Sequence, residues 1–231
     1  MGKEVEMKIP MNLEQVKSCI QKVFNSGVGY QLICKSDEYY KARFDRVVRI
    51  PKDIIRIRNN TIITDEILND VNLSVEDYFL GDNFGICIGR SKLSNPGHAT
   101  VTYKKRFIEH GIESNVEDEI DNPHDALIAS EIIKQLGSCW YKKMKKCISI
   151  PLWNFDNTPS SSGTIDIDNI NGRYFFEIEC TNPDLPTDQA IDKLETLIKD
   201  WGLNPNDRDG RTWVEIIKEY KDMKEFNVQY Y

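Results

Sequence analysis

Glu4-Val5-Glu6-Met7-Lys8, near the start of the chain, places three charged side chains at alternate positions with two apolar side chains between them. Successive side chains of a β-strand point to opposite faces of the sheet, so this alternation predicts a strand at about residues 3–9. Two carboxylates and an ammonium group then share one face of that strand, and the apolar side chains share the other.

Five later segments also place their charged side chains at alternate positions. Charges at positions i and i+2 of a strand lie about 7 Å apart on one face. One such face is usually exposed to solvent, but six together favour a sheet that closes into a barrel with the charges inside. The five segments are Ile55-Arg56-Ile57-Arg58, Thr102-Tyr103-Lys104, Glu117-Asp118-Glu119, Lys143-Met144-Lys145 and Glu177-Ile178-Glu179.

Between these segments the sequence predicts an α+β fold with a large, mainly antiparallel sheet. Apolar residues at helical spacing predict helices at 13–26, 64–69, 125–137, 186–201 and 212–220. Runs of aromatic and β-branched residues predict further strands at 30–35, 39–44, 84–89 and 164–168. The turn-rich stretch 59–97 is interpreted as an insertion.

The chain has 231 residues and a net charge of −7. We expect one domain, without a transmembrane helix or a secretory signal, and therefore a cytoplasmic protein. The scattered cysteines are expected to be free thiols. The acidic balance argues against extended nucleic-acid binding but permits one phosphate-rich ligand.

The predicted barrel interior indicates a particular chemistry. Buried carboxylates that repel one another either take up protons or bind a divalent metal. Oxygen ligands favour Mg²⁺ or Mn²⁺, and the histidines His98, His110 and His124 lack the spacing of zinc ligands. The basic strands require an anion, and a polyphosphate chain is neutralised by a divalent metal and by Lys and Arg together.

In chain order these motifs resemble the CYTH superfamily of triphosphate tunnel metalloenzymes. Glu4-Val5-Glu6-Met7-Lys8 matches its ExExK signature, and the resemblance continues to about Ile217. The other matching segments are Asp37-Glu38-Tyr39-Tyr40, Ile54-Ile55-Arg56-Ile57-Arg58, Thr102-Tyr103-Lys104-Lys105, Glu117-Asp118-Glu119, Ile167-Asp168 with Gly172, Phe176-Glu177-Ile178-Glu179 and Arg211-Thr212-Trp213-Val214-Glu215-Ile216-Ile217.

The resemblance implies an eight-stranded antiparallel β-barrel, or tunnel, with flanking helices. It would form one domain over residues 1–231, with the insertion at about 59–97 and a helical C-terminal part at about 186–231. The implied metal ligands are Glu4, Glu6, Glu117, Glu119, Glu177 and Glu179. The implied substrate-binding residues are Lys8, Arg56, Arg58, Lys104, Lys143 and Lys145, and Glu4, Glu6 and Lys8 are the implied catalytic residues.

The activity that the resemblance implies is Mg²⁺- or Mn²⁺-dependent hydrolysis of a small-molecule triphosphate, whether inorganic tripolyphosphate, a nucleoside triphosphate or thiamine triphosphate. The first alternative is a class IV adenylyl cyclase, which converts ATP to cyclic AMP and pyrophosphate. An RNA 5′-triphosphatase and a non-catalytic triphosphate-binding module are further alternatives. The sequence leaves the oligomeric state open.

Some positions depart from the family pattern or have two interpretations. Asn115 lies where many members have an arginine, and the register of the lysine strand could instead select Lys142 and Lys146. Arg106, like Lys105, is either a solvated strand end or a part of the site. Asp168 is a further acid beside the metal or a structural one. Core positions are predicted for Tyr39, Tyr40, Trp140 and Trp213, and a platform for a thiamine ring is suggested at Tyr78, Phe79 and Phe84.

Overall fold

The structure is a computed structural model that describes residues 2–41, 53–81, 99–109, 112–137, 139–152, 162–182, 184–213 and 215–217. Its centre is a closed barrel of eight strands in the order β1-β5-β4-β3-β2-β6-β7-β8, in which all neighbours are antiparallel. The predicted fold class is therefore confirmed. The strands are β1 Gly2–Met11, β2 Gln31–Lys41, β3 Asp53–Ile62, β4 Ala99–Glu109, β5 Ile112–Ile120, β6 Cys139–Pro151, β7 Gly163–Ile170 and β8 Arg173–Cys180.

Helices cover the outside of this barrel. Asn12 begins the first of them with a capping box that it forms with Gln15, and Gly27 ends it in the left-handed conformation at φ +65°. Trp213 and residues 215–217 are also helical. The helix that Asn12 begins is α1, Leu13–Ser26. The further elements are α2 Asp65–Asp70, α3 Val75–Leu80, α4 Pro123–Leu136, α5 Thr187–Asp200 and a 3₁₀ turn Pro205–Asp207.

The main hydrophobic core lies outside the barrel, between its outer face and the helices. Val5 and Met7 of β1 pack there with Ile20 of α1 and with Leu194 and Ile198 of α5. The apolar half of each alternating strand thus stabilises the fold through contacts with helices. The charged half is left to line the interior, as the alternation predicts.

Several element boundaries differ from the sequence prediction. Strand β2 continues through Ser36 and Asp37, which lie between the strands predicted at 30–35 and 39–44. Asp37 pairs there with Arg58 of the adjacent strand β3. Strand β3 extends to Ile62, and β5 already begins at Ile112. Helix α3 was not predicted, and the strand predicted at 84–89 lies outside the described residues.

Helix α3 is fixed to the barrel by two buried side chains of the outer face. Lys146 donates from Nζ to the carbonyl oxygens of Tyr78 at 2.7 Å and Gly81 at 2.5 Å, and Asn169 donates to the carbonyl of Phe79 at 2.5 Å. Tyr78 and Phe79 are fully buried. The suggestion that they form an aromatic platform for a ligand is therefore wrong, and Phe84 lies outside the described residues.

Cys19, Cys34, Cys139, Cys147 and Cys180 are free, as expected, and Cys87 lies outside the described residues. Within the described part of the chain, no helix has the length and apolar character that a membrane crossing requires.

Candidate active site in the tunnel

The inward face of β1 carries the acidic centre of the tunnel. Glu4, Glu6 and Lys8 are only 5%, 6% and 2% exposed, although all three carry charged groups. Strand β1 lies between β5 and β8, and its register places Glu6 beside Glu113 on one side and beside Glu179 on the other. Carboxylates of three adjacent strands therefore meet in one buried region.

Several of these carboxyl groups share hydrogen bonds, so they cannot all be ionised without a cation. Glu4 shares hydrogen bonds with Glu117 and Glu179, and Glu6 shares one with Glu177. Burial, opposed by Lys8 and reinforced by Glu113, raises the pKa of Glu6 to about 8.

Burial and neighbouring carboxylates also raise the pKa of other acids of the tunnel. Burial raises the pKa of Glu117 to about 7, against the attraction of Lys104 and with the help of its hydrogen bond to Glu4. Burial and the neighbouring Glu4 raise the pKa of Glu179 well above its ordinary value. Glu4 is the exception, because Lys104 overcomes the effect of burial and holds the pKa of Glu4 well below its ordinary value.

The six glutamates predicted as metal ligands therefore occupy three kinds of position. Glu4, Glu6, Glu117 and Glu179 form the acidic centre. Glu177 accepts hydrogen bonds from Lys145 Nζ and from the indole Nε1 of Trp213, both at 2.7 Å, and shares its remaining hydrogen bond with Glu6. Glu119 is exposed at the end of β5 and accepts a hydrogen bond from Thr102 at 3.0 Å.

The predicted cations line the same interior but differ in their partners. Lys104 contacts Glu4 at 3.3 Å and Glu117, and Lys8 contacts Glu113 at 3.0 Å and Glu6. Arg56 donates from Nη2 to a hydroxyl, that of Thr102, at 3.1 Å, and its Nε has no hydrogen-bond partner among the described residues.

Asp37 contacts two further cations. Arg58 donates to both of its carboxylate oxygens, at 2.7 and 2.9 Å, and Lys143 Nζ lies 3.3 Å from Oδ2. Lys143 also lies 4.4 Å from the centre of the Trp213 ring. Burial, opposed by Asp37 and reinforced by Lys145, lowers the pKa of Lys143 to about 7.

Lys143 and Lys145 both face the interior, so the structure selects the first of the two registers considered from the sequence. Lys142 pairs with Glu38 at 2.6 Å, and Lys146 holds α3 on the outside.

Four interior charges were missed or left open, namely Lys35, Arg106, Glu113 and Asp166. Arg106 and Glu113 continue alternations already recognised on β4 and β5, so longer strands would have revealed them. Lys35 and Asp166 lie on β2 and β7, where no alternation of charge was recognised. Tyr39 is buried as predicted but lines the tunnel, where it donates to Asp37 at 3.0 Å, whereas Tyr40 packs in the outer core. Trp213, expected in the core, also lines the tunnel.

Cys147, Asp166 and Asp168 place potential ligand atoms within 4.8 Å of one another. Lysines already balance these two carboxylates, however. Lys145 lies 2.6 Å from Asp168 and 3.6 Å from Asp166, and Lys35 lies 2.5 Å from Asp166. These two carboxylates are thus ion-paired with lysines, as Glu4 and Glu6 are with Lys104 and Lys8.

Solved structures share this architecture. The PH1819 protein of Pyrococcus horikoshii is 18% identical, covers 94% of this chain and 98% of its own, and gives a TM-score of 0.61. At this level of identity the likeness shows a shared fold. No protein-family model and no curated protein matches the sequence.

Two further structures share this fold. A Vibrio parahaemolyticus protein provisionally described as an adenylate cyclase is 14% identical, with 93% and 97% of the two chains covered and a TM-score of 0.54. A chain of the Schizosaccharomyces pombe Mediator head module is 8% identical, with 86% and 95% covered and a TM-score of 0.51. The fold occurs in different settings, so function has to be argued from the site.

Proposed function

We propose that this protein is a Mg²⁺- or Mn²⁺-dependent hydrolase of a small-molecule triphosphate that binds inside the tunnel. The observation that carries the proposal is the pairing of two features in one enclosed space. Buried carboxyl groups there lie close enough to share hydrogen bonds, and buried cations beside them lack full sets of acceptors. A triphosphate bound with a divalent metal satisfies both sets.

The acidic centre fits a hard divalent cation. Glu6 Oε1 and Glu117 Oε1 are buried, and each contacts one lysine ammonium group, that of Lys8 and that of Lys104. Together with Glu4 and Glu179 they offer only oxygen ligands, which suits Mg²⁺ or Mn²⁺. A metal bound there supplies neutralisation of phosphate oxygens and a water molecule of lowered pKa.

The protein's own groups have distinct roles in this proposal. Arg56, Lys104 and Lys143 bind the phosphate oxygens, and Arg58, fixed by Asp37, adds a cation of set orientation. A glutamate of the acidic centre that does not bind the metal accepts the proton of the attacking water. Lys8 lies beside Glu6 and stabilises its ionised form.

The lining of the tunnel favours recognition of the phosphate chain over recognition of an organic group. Ten of the twelve residues around its cavity carry a formal charge. The other two, Tyr39 and Trp213, already hydrogen-bond to interior carboxylates. The described tunnel thus contains no apolar pocket for an adenine base, which places hydrolysis ahead of cyclisation.

Product analysis tests the proposal. The protein is incubated with tripolyphosphate, ATP, thiamine triphosphate or 5′-triphosphorylated RNA, each with Mg²⁺, Mn²⁺ or EDTA. Metal-dependent release of orthophosphate supports the proposal and identifies the preferred substrate. Pyrophosphate with cyclic AMP would identify a cyclase instead, and no turnover would favour a binding module.

Paired variants connect any activity to the tunnel. Glu6→Gln should abolish turnover while the protein remains folded. Asp118→Asn is the matched control, because Asp118 is exposed on the opposite face of the neighbouring strand β5. Equal losses in both variants would contradict the assignment of the site.

A further inference from the structure

Trp213 is an uncharged side chain among the charged groups of the tunnel, and the proposed function gives it no role. Its indole Nε1 donates to Oε1 of Glu177 at 2.7 Å. The centre of its ring lies 4.4 Å from Nζ of Lys143, 5.6 Å from Nζ of Lys145 and 5.7 Å from Nζ of Lys8. The indole therefore contacts a carboxylate with its edge and ammonium groups with its face.

Both carboxylate oxygens of Glu177 have a donor in this arrangement. Trp213 donates to Oε1, and Lys145 donates to Oε2 at 2.7 Å. Glu177 also attracts Lys143, whose ammonium group lies against the same indole. The indole N–H thus occupies a carboxylate oxygen that Lys143 would otherwise approach.

Lys143 is left with an ionic contact but without a hydrogen bond. Its Nζ lies 3.3 Å from Oδ2 of Asp37 and has no hydrogen-bond partner among the described residues. Asp37 already accepts two hydrogen bonds from Arg58, at 2.7 and 2.9 Å, and one from the hydroxyl of Tyr39 at 3.0 Å. A buried ammonium group has three donors to satisfy, so Lys143 retains the capacity to bind an anion.

The polypeptide around Trp213 holds the indole in this position. The Glu215 carboxylate accepts from the backbone N–H of Thr212 at 2.8 Å, and the Thr212 hydroxyl accepts from the backbone N–H of Glu215 at 3.3 Å, which forms a capping box. Phe175 packs edge-on against the indole with 5.0 Å between the ring centres, and Ile216 is buried in the same cluster. Groups that do not belong to the charged site therefore fix the direction of the indole.

We propose that Trp213 is a positioning residue that prevents Lys143 from pairing with Glu177. Its N–H satisfies the carboxylate, and the negative face of its ring attracts the ammonium group without accepting a hydrogen bond in the manner of an oxygen. The consequence rests on the proposed function and is that Lys143 remains available to an anionic ligand. Without the indole N–H, Lys143 and Glu177 would neutralise each other, and a ligand would have to break that pair.

Trp213→Phe tests this role, because it removes the N–H donor and keeps an aromatic ring. Calorimetric titration with tripolyphosphate in EDTA should show about tenfold weaker binding, the equivalent of one charge-assisted hydrogen bond. Trp201→Phe is the matched control, because Trp201 also has a lysine, Lys22, 5.1 Å from its ring centre but lies in the main core outside the barrel. That variant should bind tripolyphosphate as tightly as the wild type.

A double-mutant cycle separates positioning from a general structural effect. Lys143→Met should weaken tripolyphosphate binding about tenfold in the wild type and hardly at all in Trp213→Phe, where Glu177 already holds the lysine. Trp213→Phe should likewise have no effect in a Glu177→Gln background, because glutamine does not neutralise Lys143. This second comparison also serves if Trp213→Phe alone fails to fold, since the double variant leaves no buried carboxylate without a donor.

The position of Lys143 gives a readout that does not depend on ligand binding. A crystal structure of ligand-free Trp213→Phe should show Lys143 Nζ within hydrogen-bond distance of Glu177 Oε1. The wild-type crystal structure is the reference, in which the indole N–H should occupy that oxygen and Lys143 should lie against the ring.

The outcomes distinguish this inference from the proposed function. Unchanged tripolyphosphate affinity in Trp213→Phe, additive losses in the cycle, or an unmoved Lys143 in the variant crystal would overturn the role of Trp213 and leave triphosphate binding intact. A wild-type protein that does not bind tripolyphosphate would overturn the proposed function, and the crystal structures would still confirm or overturn the positioning of Lys143.

Discussion

Replacing Glu6 with glutamine should make the metal-free protein more stable at neutral and alkaline pH. In the folded protein Glu6 has a pKa of about 8, against an ordinary value of 4.5. A carboxyl group with a raised pKa contributes its full stabilisation below pH 4.5 and loses it as the pH rises through 8. The glutamine side chain has the same shape and no charge to lose.

The structure sets the size of the effect. A change in pKa from 4.5 to about 8 corresponds to about 5 kcal/mol of free energy. This is an upper limit, because entry of water and side-chain relaxation relieve part of the repulsion. We therefore expect Glu6→Gln to increase the free energy of unfolding by about 2–4 kcal/mol at pH 9 and by almost nothing at pH 4.

Denaturant unfolding in EDTA from pH 4 to pH 9 measures this difference directly. Glu14→Gln is the control, because Glu14 is exposed on α1. Its unfolding curve should follow that of the wild type at every pH. If the curves of Glu6→Gln and wild type also remain parallel across this range, the carboxylates do not repel one another, and the case for a metal site at Glu6 is lost.

Three further outcomes are expected. Mn²⁺ should raise the melting temperature more at pH 8.5 than at pH 6, because Glu6 and Glu117 must lose protons to bind it; an equal rise would place the metal elsewhere. Arg56→Gln should raise KM about tenfold at unchanged stability, whereas Arg58→Gln should also lower stability because it leaves Asp37 buried with a weaker partner. Lys146→Met should cost about 3 kcal/mol in denaturant unfolding through two lost hydrogen bonds to carbonyls, and Lys142→Met, a surface control, less than about 1 kcal/mol.

The alternating charges were sufficient to predict the barrel and the side of each strand that faces its interior. Glu4, Lys104, Lys145 and Glu179 all lie inside, because a period of two assigns every second side chain to one face. The ends of the strands were harder to predict. Ser36-Asp37 is typical of a turn by composition, but it pairs with both β3 and β6, where Asp37 contacts Arg58 and Lys143.

The sequence could not predict which charged side chains contact one another inside the tunnel. Glu177 and Glu179 are equivalent by pattern, yet Glu177 is bound by Lys145 and Trp213, whereas Glu179 shares a hydrogen bond with Glu4. These partners lie on distant segments, and the shear of the closed barrel decides which of them meet. Local spacing carries no information about that shear.

The two faces of the barrel have separate roles, which explains how the fold can be stable although its interior is charged. The outer faces of β1 and β8 place Val5, Met7, Ile9, Phe176 and Ile178 in a core shared with the helices. This burial stabilises the fold independently of the tunnel. The interior can therefore keep carboxylates and cations in arrangements that are unfavourable without a ligand. A charged lumen supported by an independent outer core is what the proposed binding of a metal and a polyphosphate requires.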